Sequence, residues 1–583
     1  MRRQQILTLV LLALIPAPTG FSSSSSRSGD GGYAASRHSD ALVRRPVALV
    51  SSVAGPWLYT ANRRSGTVSA IDMQSLEVRR ETKVAESLAD LAEIPGLGLL
   101  ALDDRASELV SLRYAGPELR VIQCLRFGPL PARLAVDREA RRAFVSSSWG
   151  RRIYVIEWDE AKTLRLTRSI DLPFPPREML PVESARRLVV ADAFGSRLAT
   201  LDVEHAQVDR VVEIPGHNIR GLTVQGERLL LTHQRMERTA AEREALVWGV
   251  FNTNAILSLD LKALLTPEGD VLGTRRVLDL GGQVIPSGDP DALLATEGGE
   301  LVAALAGVGR IAIGQASSPR FDQVRVGRRP TALAAGAGGR LYVANTYSDS
   351  VSVVDVASRK SLAEISLGPP AELTEADRGE ILFYDATLSL RSWMSCHSCH
   401  TEGHTSGILS DTQGDGSYGA PKRVPSLLGV GQSGPWAWTG QMASLSAQIE
   451  KSLRTTLHAS PVTPEQVGVL EAYLRTLEPP QLPAAAEDAE AARRGEAAFH
   501  QRCAGCHTPS AYTSAGTYDV GLADEMGNRR FNPPSLRGVR HRSPLFHDGR
   551  ARDLDDVLTR FRHPVGELPS SEVHDLIAFL KTI

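Results

Sequence analysis

Four of the five cysteines in this 583-residue sequence stand in two short pairs, and a histidine directly follows each pair. Both segments therefore read Cys-x-x-Cys-His. Two thiols three positions apart on a helical turn can both bond the vinyl groups of a porphyrin, while the next imidazole reaches its iron. This spacing is the attachment signature of c-type haem. The candidate attachment residues and proximal ligands are Cys396, Cys399 and His400 in the first motif and Cys503, Cys506 and His507 in the second.

Three other chemistries use paired cysteines: a structural zinc site built from both pairs, a thioredoxin-like redox pair, and a local disulfide. A zinc site needs no histidine directly after each pair. A redox pair needs a βαβ setting, which this region lacks. We therefore expect two covalently bound haem c groups in the last third of the chain.

The sixth ligand of each iron decides whether that iron only passes electrons or also meets a small oxidant. Aligning the C-terminal helices of the two motif-bearing segments gives His563 and His458 as the expected sixth ligands, at nearly equivalent places. Other candidates stay open, namely Met442, His404, His541, His547 and His574.

The two motifs belong to two similar halves, which indicates an internal duplication. Arg-Gly-Glu precedes each motif, beginning at Arg378 and at Arg494. A Pro-Ser-Leu-x-Gly-Val segment follows each motif, beginning at Pro425 and at Pro534. Capping signals and amphipathic spacing favour helices in both halves. We expect two all-α, class I cytochrome c-like domains, at residues 369–480 and 481–583.

A repeated hairpin fills the chain before these halves. The segments that start at Leu58 and Leu341 share the pattern Leu-Tyr-x-Ala-Asn followed by a second apolar strand. Short alternating strands at intervals of mostly 40 to 45 residues are typical of four-stranded propeller blades. We therefore expect an all-β, seven-bladed propeller over residues 42–368. The other five copies begin at Leu99, Ala143, Leu188, Leu301 and, with an insertion that opens the hairpin, Leu229.

Composition and the first residues bear on partners and compartment. The 65 basic groups nearly balance 67 acidic groups, so nucleic-acid binding by counterion release has no visible source. Two arginines, an apolar run and a Pro/Gly-containing segment predict a signal peptide over residues 1–20, followed by a flexible segment over residues 21–41. No later segment is apolar enough to span a bilayer. We expect a periplasmic or secreted protein without a membrane span after signal cleavage.

The last 215 or so residues resemble the bacterial dihaem cytochrome c peroxidase and MauG family. The two haem signatures, the Pro-Ser-Leu-x-Gly-Val segments and a Phe-His-Asp-Gly segment that starts at Phe546 carry this resemblance. The propeller resembles the YVTN-type bacterial propellers, on the Tyr-Val-Ala-Asn segment that starts at Tyr342. The dihaem resemblance implies that the haem on Cys503 and Cys506 collects electrons from a small cytochrome or cupredoxin. It implies that the haem on the first cysteine pair reacts with hydrogen peroxide.

The sequence departs from this family beside the expected reactive haem. Peroxidases of the family place a glutamine before a Phe-Trp-Asp-Gly-Arg segment and a glutamate soon after it. Here the segment reads Trp-Ala-Trp-Thr-Gly-Gln from Trp436, and Ser446 stands in the glutamate's place. Gln441 and Glu450 are candidates to replace it in general acid–base catalysis. At the second haem, Phe561 stands at the usual methionine position, which favours His563 as ligand.

Three functions are open on these observations. The first is an exported dihaem oxidoreductase of the peroxidase or MauG type, with the propeller as a docking or substrate platform, and we favour it. The second is a non-catalytic electron-transfer cytochrome whose propeller docks a partner dehydrogenase. The third is a catalytic site in the propeller beside the insertion that contains His233, Trp248 and Phe251. One histidine without a carboxylate cluster makes a loop that covers one blade the better interpretation there.

Overall fold

The computed structural model describes residues 27–28 and 41–583, apart from residues 138, 237–251, 282–284, 319, 413–418 and 482–488. The expected signal peptide lies outside the described residues, as does most of the expected flexible segment. Within that segment, Arg27–Ser28 form a short strand that pairs with the outermost strand of the second blade.

Seven antiparallel sheets confirm the expected propeller. Each blade takes four consecutive strands, and the hairpin recognised in the sequence supplies its second and third strands. The strands are, blade by blade, Pro46–Ser51, Trp57–Asn62, Thr67–Asp72 and Glu77–Lys83; Leu88–Ile94, Gly98–Asp103, Glu108–Ala115 and Glu118–Arg126; Pro131–Asp137, Arg142–Ser147, Arg152–Trp158 and Leu164–Asp171; Pro176–Val182, Arg187–Asp192, Arg197–Asp202 and Gln207–Glu213; Leu222–Gln225, Arg228–Met236, Asn252–Asp260 and Arg276–Asp279; Pro290–Ala295, Glu300–Leu305, Arg310–Gln315 and Phe321–Arg325; Pro330–Ala335, Arg340–Asn345, Ser350–Asp355 and Lys360–Ser366.

Apolar clusters between neighbouring blades hold the ring together. Tyr59 of the first blade packs in one cluster with Leu99 of the second, and Phe144 of the third blade packs with Leu188 of the fourth. Because both faces of each inner hairpin are apolar, a single blade would leave both faces in water. Stacking the blades in a ring buries both faces.

The ring closes between the first and the seventh blade. The carboxylate of Asp349 accepts the main-chain N–H groups of Arg44 and Arg45 at 3.0 and 2.6 Å. Nearby, the guanidinium of Arg44 lies 2.9 Å from the carboxylate of Glu81, and both side chains are fully buried. The two charges compensate each other, as burial requires.

The C-terminal region is built mainly from helices. Each half also contains a two-residue antiparallel ladder, so neither half is wholly helical, and their class I cytochrome character stays a prediction. None of the described helices is long and apolar enough to cross a bilayer. The helices are Glu375–Phe383, Cys396–Cys399, Leu445–Lys451, Pro464–Leu474, Ala489–Arg502, Leu554–Leu558 and Ser570–Leu580, and a short helix, Leu261–Leu265, belongs to the fifth blade. The ladders join Leu409–Ser410 to Lys422–Arg423 and Tyr518–Asp519 to Arg530–Phe531.

The glycine of each Arg-Gly-Glu segment lies where two helices cross. A Cβ atom on Gly379 would lie 1.9 Å from the carbonyl oxygen of Val469. A Cβ atom on Gly495 would lie 1.9 Å from the carbonyl oxygen of Asp575. The repeated glycine therefore permits the same close crossing in both halves.

The two faces of the propeller differ. The C-terminal region contacts the face where the first strand of each blade begins, for example near Arg45, whose guanidinium lies 3.7 Å from Glu380. At the opposite end of the axis, a cavity of about 530 Å³ opens among residues at the ends of these strands, including Ser51, Val136 and Ala335. The two motifs therefore lie on one side of the ring.

Candidate functional site

One cavity of about 500 Å³ extends through both halves. Much of its wall is apolar, with Leu445 and Ile449 from the core of the first half and Leu545 and Leu558 from that of the second. Such a wall fits a large, mostly apolar prosthetic group. All six motif residues also line it: Cys396, Cys399, His400, Cys503, Cys506 and His507.

The first motif opens with a single helical turn, Cys396–Cys399. The N–H of His400 donates to the carbonyl of Cys396 at 2.9 Å, so the imidazole follows directly from the turn. The Nδ1 of His400 lies 2.9 Å from the carbonyl oxygen of Pro425, the first residue of the repeated segment. With Nδ1 as donor, Nε2 is the acceptor that a metal needs. Burial lowers the pKa of His400 to about 4, which keeps the ring neutral.

The second motif has the same local geometry at the end of helix Ala489–Arg502. The N–H of His507 donates to the carbonyl of Cys503 at 2.9 Å. The Nδ1 of His507 lies 3.1 Å from the carbonyl oxygen of Tyr512. Burial lowers the pKa of His507. Both motifs thus present a neutral imidazole with the same tautomer.

The four thiols do not resemble a reactive redox pair. Burial raises the pKa of Cys396 and Cys399 to about 12 and that of Cys503 to about 11. Redox-active pairs require the opposite shift, because the thiolate is the nucleophile. The geometry therefore disfavours the thioredoxin-like alternative.

The propeller covers the first motif with polar side chains. The main-chain carbonyl of Ser398 lies 2.9 Å from the Nε2 of His217 and accepts the amide of Asn218 at 3.1 Å. Just before the motif, the carbonyl of Trp393 accepts the amide of Asn254 at 2.8 Å. Ser398 is fully buried as a result. The first motif is therefore part of the interface between the propeller and the first half.

Charged groups extend this interface beyond the motif. The carboxylate of Glu402 lies 3.4 Å from the guanidinium of Arg220 and 3.6 Å from that of Arg177. Burial opposes ionisation of Glu402, but these two arginines hold its pKa well below the usual range. The guanidinium of Arg329 lies 3.6 Å above the ring of Tyr384. These partly buried ion pairs and the cation–π contact join the first half to the propeller.

The second motif lies away from the propeller. Gly505, between its two cysteines, is exposed. Arg502, just before it, donates to Glu572 of the last helix at 3.2 Å. Within the described chain, residues 503–507 form no hydrogen bond to the propeller. The two motifs therefore share a local geometry but not an environment.

The two sixth-ligand candidates lie in different places. His563 lines the cavity, and burial together with the nearby His507 lowers its pKa to about 4. Its Nδ1 is buried and has no hydrogen-bond partner in the described part of the chain. His458 is half-buried on left-handed backbone, with φ 51°, and is not among the described residues that line the cavity. The structure brings His563, but not His458, to the motif residues.

One of the other candidate ligands lines the cavity. The ring of His547 does so and stacks on Phe531 at a centroid distance of 4.4 Å. His404 instead lies 5.0 Å from the ring of the propeller residue Trp149, and its Nε2 lies 3.0 Å from the carbonyl oxygen of His541. His404 therefore packs against the propeller and is hydrogen-bonded to the second half. Of the described residues, the lining set does not include Met442, His404, His541 or His574.

Two arginines of the cavity wall, the buried Arg423 and the partly buried Arg542, were not singled out from the sequence. Burial lowers the pKa of Arg423 and of Arg542 to about 10. The guanidinium of Arg542 donates to two neutral carbonyl groups, those of Ser535 at 2.5 Å and Leu428 at 2.9 Å. The Nε of Arg423 has no partner in the described chain. The duplication of the halves did not point to either arginine, because neither has a counterpart in the other half. Their charges suit the carboxylates of a bound group.

The two candidates to replace the missing glutamate, Gln441 and Glu450, are not among the described residues that line the cavity. Glu450 pairs with Arg454 at 2.9 Å on the surface. Ser446, which stands in the glutamate's place, donates a hydrogen bond to Glu471. Gln448 does line the cavity, and its Oε1 is buried without a partner in the described chain. Asp411 is the one carboxylate among the described lining residues. Sequence reasoning missed Gln448, whose only signal was its place on the same helix as the buried Leu445 and Ile449.

The propeller histidine beside the insertion is a core residue. His233 lies in the strand Arg228–Met236, is 2% exposed, and has its pKa lowered to about 4 by burial. Trp248 and Phe251 lie outside the described residues.

A seven-bladed propeller that covers one of two Cys-x-x-Cys-His motifs on a shared cavity defines the class: a β-propeller joined to a two-motif cytochrome region. Residues 374–481 match the family model for di-haem cytochrome c peroxidase. The C-terminal part of the chain is thus related to the di-haem peroxidase and MauG family, and the expected oxidoreductase class is confirmed. This relationship implies haem c cofactors.

The chain is similar to two proteins in sequence and to one solved structure in fold. Methylamine utilization protein MauG of Methylorubrum extorquens is 26% identical over 323 residues, which cover 42% of this chain and 91% of that protein. Cytochrome c551 peroxidase of Nitrosomonas europaea is 26% identical over 285 residues, which cover 39% of this chain and 85% of that protein. A solved chain of Kuenenia stuttgartiensis hydrazine synthase aligns with 19% identity and a TM-score of 0.47, over 56% of this chain and 99% of that one.

Proposed function

We propose that this chain is an exported dihaem oxidoreductase that transfers electrons between two haem c groups and reduces hydrogen peroxide. One haem, the first haem, is attached to Cys396 and Cys399 with His400 as proximal ligand. The other, the second haem, is attached to Cys503 and Cys506 with His507 as proximal ligand. Bound haem supplies an iron that exchanges one electron at a time and, where its sixth position is open, binds a small oxidant.

The residues of the cavity fit two such groups. Each thiol pair and its imidazole lie together on the cavity wall, and each Nδ1 is held by a main-chain carbonyl. The buried guanidinium groups of Arg423 and Arg542 lack anionic partners in the described chain and supply positive charge for haem carboxylates. Apolar cores surround the rest.

The distribution of imidazoles supports different roles for the two sites. Of the described first-half residues that line the cavity, His400 is the sole histidine, and none is a methionine. The second half contributes His547 and His563 in addition to His507. We assign the peroxide reaction to the first haem and electron entry to the second, with His563 as its sixth ligand. Each peroxide takes two electrons and two protons to give two waters, and a small cytochrome or cupredoxin supplies the electrons one at a time.

Two polar side chains can handle peroxide and its protons where the family's glutamate is missing. The unpartnered Oε1 of Gln448 can accept a hydrogen bond from a bound hydroperoxide. Asp411 is the one described carboxylate on the cavity wall that can carry a proton. The cysteine motifs and the expected signal peptide favour a periplasmic location, because haem c is attached outside the cytoplasm. The propeller then serves as the docking platform for the partner.

Rapid mixing of the half-reduced, haem-loaded protein with hydrogen peroxide tests this proposal. We expect rapid oxidation by two electrons per peroxide and a high-spin signal from the first haem. His563→Ala should convert the second haem from low spin to high spin, while the control His458→Ala should leave both spectra unchanged. Oxidation no faster than that of a bis-histidine cytochrome would count against the proposal.

A non-catalytic electron carrier is the second candidate. The observation in its favour is that Ser446 stands at the glutamate's place and donates its hydrogen bond away from the cavity, to Glu471. This candidate predicts six-coordinate, low-spin haems in every redox state. Visible and electron paramagnetic resonance spectra therefore separate the two functions.

A further inference from the structure

A buried carboxylate of the propeller lies directly behind the first motif. Asp289, in the loop before the first strand of the sixth blade, is 4% exposed. Its two oxygens lie 2.5 Å from the hydroxyls of Ser395 and Ser398. Its backbone is left-handed, with φ 53°, a conformation that aspartate tolerates better than most residues. The preceding Gly288 packs so closely that a Cβ atom there would lie 2.4 Å from the Cβ of Ala386.

Burial raises the pKa of Asp289, whereas the hydrogen bonds from Ser395 and Ser398 and the charge of Arg329 lower it. The arrangement of the two hydrogen bonds favours the ionised form. The Ser395 hydroxyl accepts the N–H of His397 at 3.1 Å, and the Ser398 hydroxyl accepts the N–H of Ser395 at 3.0 Å. Each hydroxyl therefore has its single proton available for Asp289. An ionised carboxylate accepts at both oxygens, whereas a carboxylic acid would turn its own proton against one hydroxyl.

The charge of Asp289 reaches the attachment residues. Burial and then Asp289 raise the pKa of Cys396, and Asp289 also contributes to the raised pKa of Cys399 after burial and Cys396. The second motif has no equivalent: Arg502 replaces Ser395, and Gly505 replaces Ser398. The asymmetry therefore involves both parts of the chain: the propeller supplies Asp289, and only the first half carries the two serines that bind it.

We propose that Asp289 is a positioning residue that fixes the first motif on the propeller and lowers the reduction potential of the first haem. This inference rests on the proposed function. A fixed negative charge near an iron favours the ferric state, which carries one more positive charge than the ferrous state. The two serine hydrogen bonds hold that charge at a set place behind the helical turn. The propeller is thus part of the first haem site and shapes the driving force for electron transfer between the haems.

Potentiometric titration of the haem-loaded full chain tests this inference. Asp289→Asn keeps the shape but removes the charge, so at a fixed electrode potential the ferrous-to-ferric ratio of the first haem should rise about tenfold, equivalent to about 59 mV. The second haem should not change. Asp289→Glu should retain the low potential. Glu93→Gln removes a buried propeller carboxylate that accepts from Ser52 and Tyr114, near the opposite opening, and should leave both potentials unchanged.

The possible outcomes separate the two proposals. Absence of covalent haem from the wild-type protein would overturn the proposed function and this inference with it. Two haems whose potentials are the same in the wild type and in Asp289→Asn would overturn the inference alone. If Asp289→Asn does not fold, Asp289→Gly offers the same comparison, because glycine suits the left-handed backbone and water can bind the two hydroxyls.

Discussion

The two motif regions have nearly the same internal geometry but opposite surroundings. In both, a main-chain carbonyl holds the Nδ1 of the motif histidine, at 2.9 Å for His400 and 3.1 Å for His507. In the first, the propeller buries Ser398, whereas the corresponding Gly505 is exposed. The duplication therefore preserves what attachment requires, and the propeller makes the two copies different. Their chemical roles follow from the contacts around each motif more than from the motif itself.

Removing each cysteine pair in turn is the strongest test of this comparison. Changing Cys396 and Cys399 to alanine should leave one covalent haem and reduce the peroxide reaction to background. Changing Cys503 and Cys506 should also leave one haem, but the remaining haem should still react with peroxide while donor-driven turnover is lost. Haem staining after denaturing electrophoresis and intact mass measure the haem count. Equal peroxide rates in the two variants would contradict the division of roles.

A matched pair of glycine substitutions tests the part of the comparison in which the halves agree. Gly379→Ala and Gly495→Ala each place a Cβ atom 1.9 Å from a carbonyl oxygen of the crossing helix. We expect each to lower the free energy of unfolding of its half by about 1–3 kcal/mol. Denaturant unfolding of the haem-loaded protein measures this loss. Gly468→Ala is the control, since a Cβ atom there meets nothing within 4 Å. If Gly379→Ala or Gly495→Ala were as stable as Gly468→Ala, the two helices would not cross as closely at that glycine as the structure shows.

Mild acid should loosen the first motif more than the second. Burial lowers the pKa of His217 to about 4 in the folded protein, against about 6.5 when unfolded. Below pH 6.5 the unfolded chain binds a proton that the folded chain rejects, so stability falls as the pH falls from 6.5 to 4. At pH 5 this histidine costs about 2 kcal/mol relative to pH 7.

Substitution at His217 isolates this effect. His217→Gln keeps a donor for the Ser398 carbonyl and should recover most of that loss. Hydrogen exchange at residues 396–400 and 503–507, at pH 7 and pH 5, measures the two motifs separately. If acid increased hydrogen exchange equally in the two motifs, the low pKa of His217 would not be the cause of the loss.

The propeller and the motif residues could be predicted because they repeat. Seven similar hairpins and two similar halves each carry a repeat signal, and the inner strands lie where that signal places them. The docking of the two parts has no such signal. His217 and Asn218 come from one loop and Asp289 from another, and their contacts with the first motif depend on how the whole ring presents those two loops.

The sixth-ligand candidates show the limit of aligning similar halves. His563 and His458 occupy nearly equivalent positions in sequence, yet His563 lies on the cavity wall and His458 on a left-handed turn away from it. A shift of one residue after a helix rotates a side chain to another direction, and spacing alone does not record that rotation. Arg423 and Arg542 were missed for a related reason, since neither has a counterpart in the other half.

The docking of the first motif on the propeller also limits where another protein can bind. An isolated propeller has two open ends along its axis. Here the helical turn of the first motif covers one of them. Along the described residues, the mouth lined by Ser51, Val136 and Ala335 is the end of the axis that this turn leaves open. A protein that binds there is separated from the buried first motif by the depth of the ring, whereas Gly505 of the second motif is exposed.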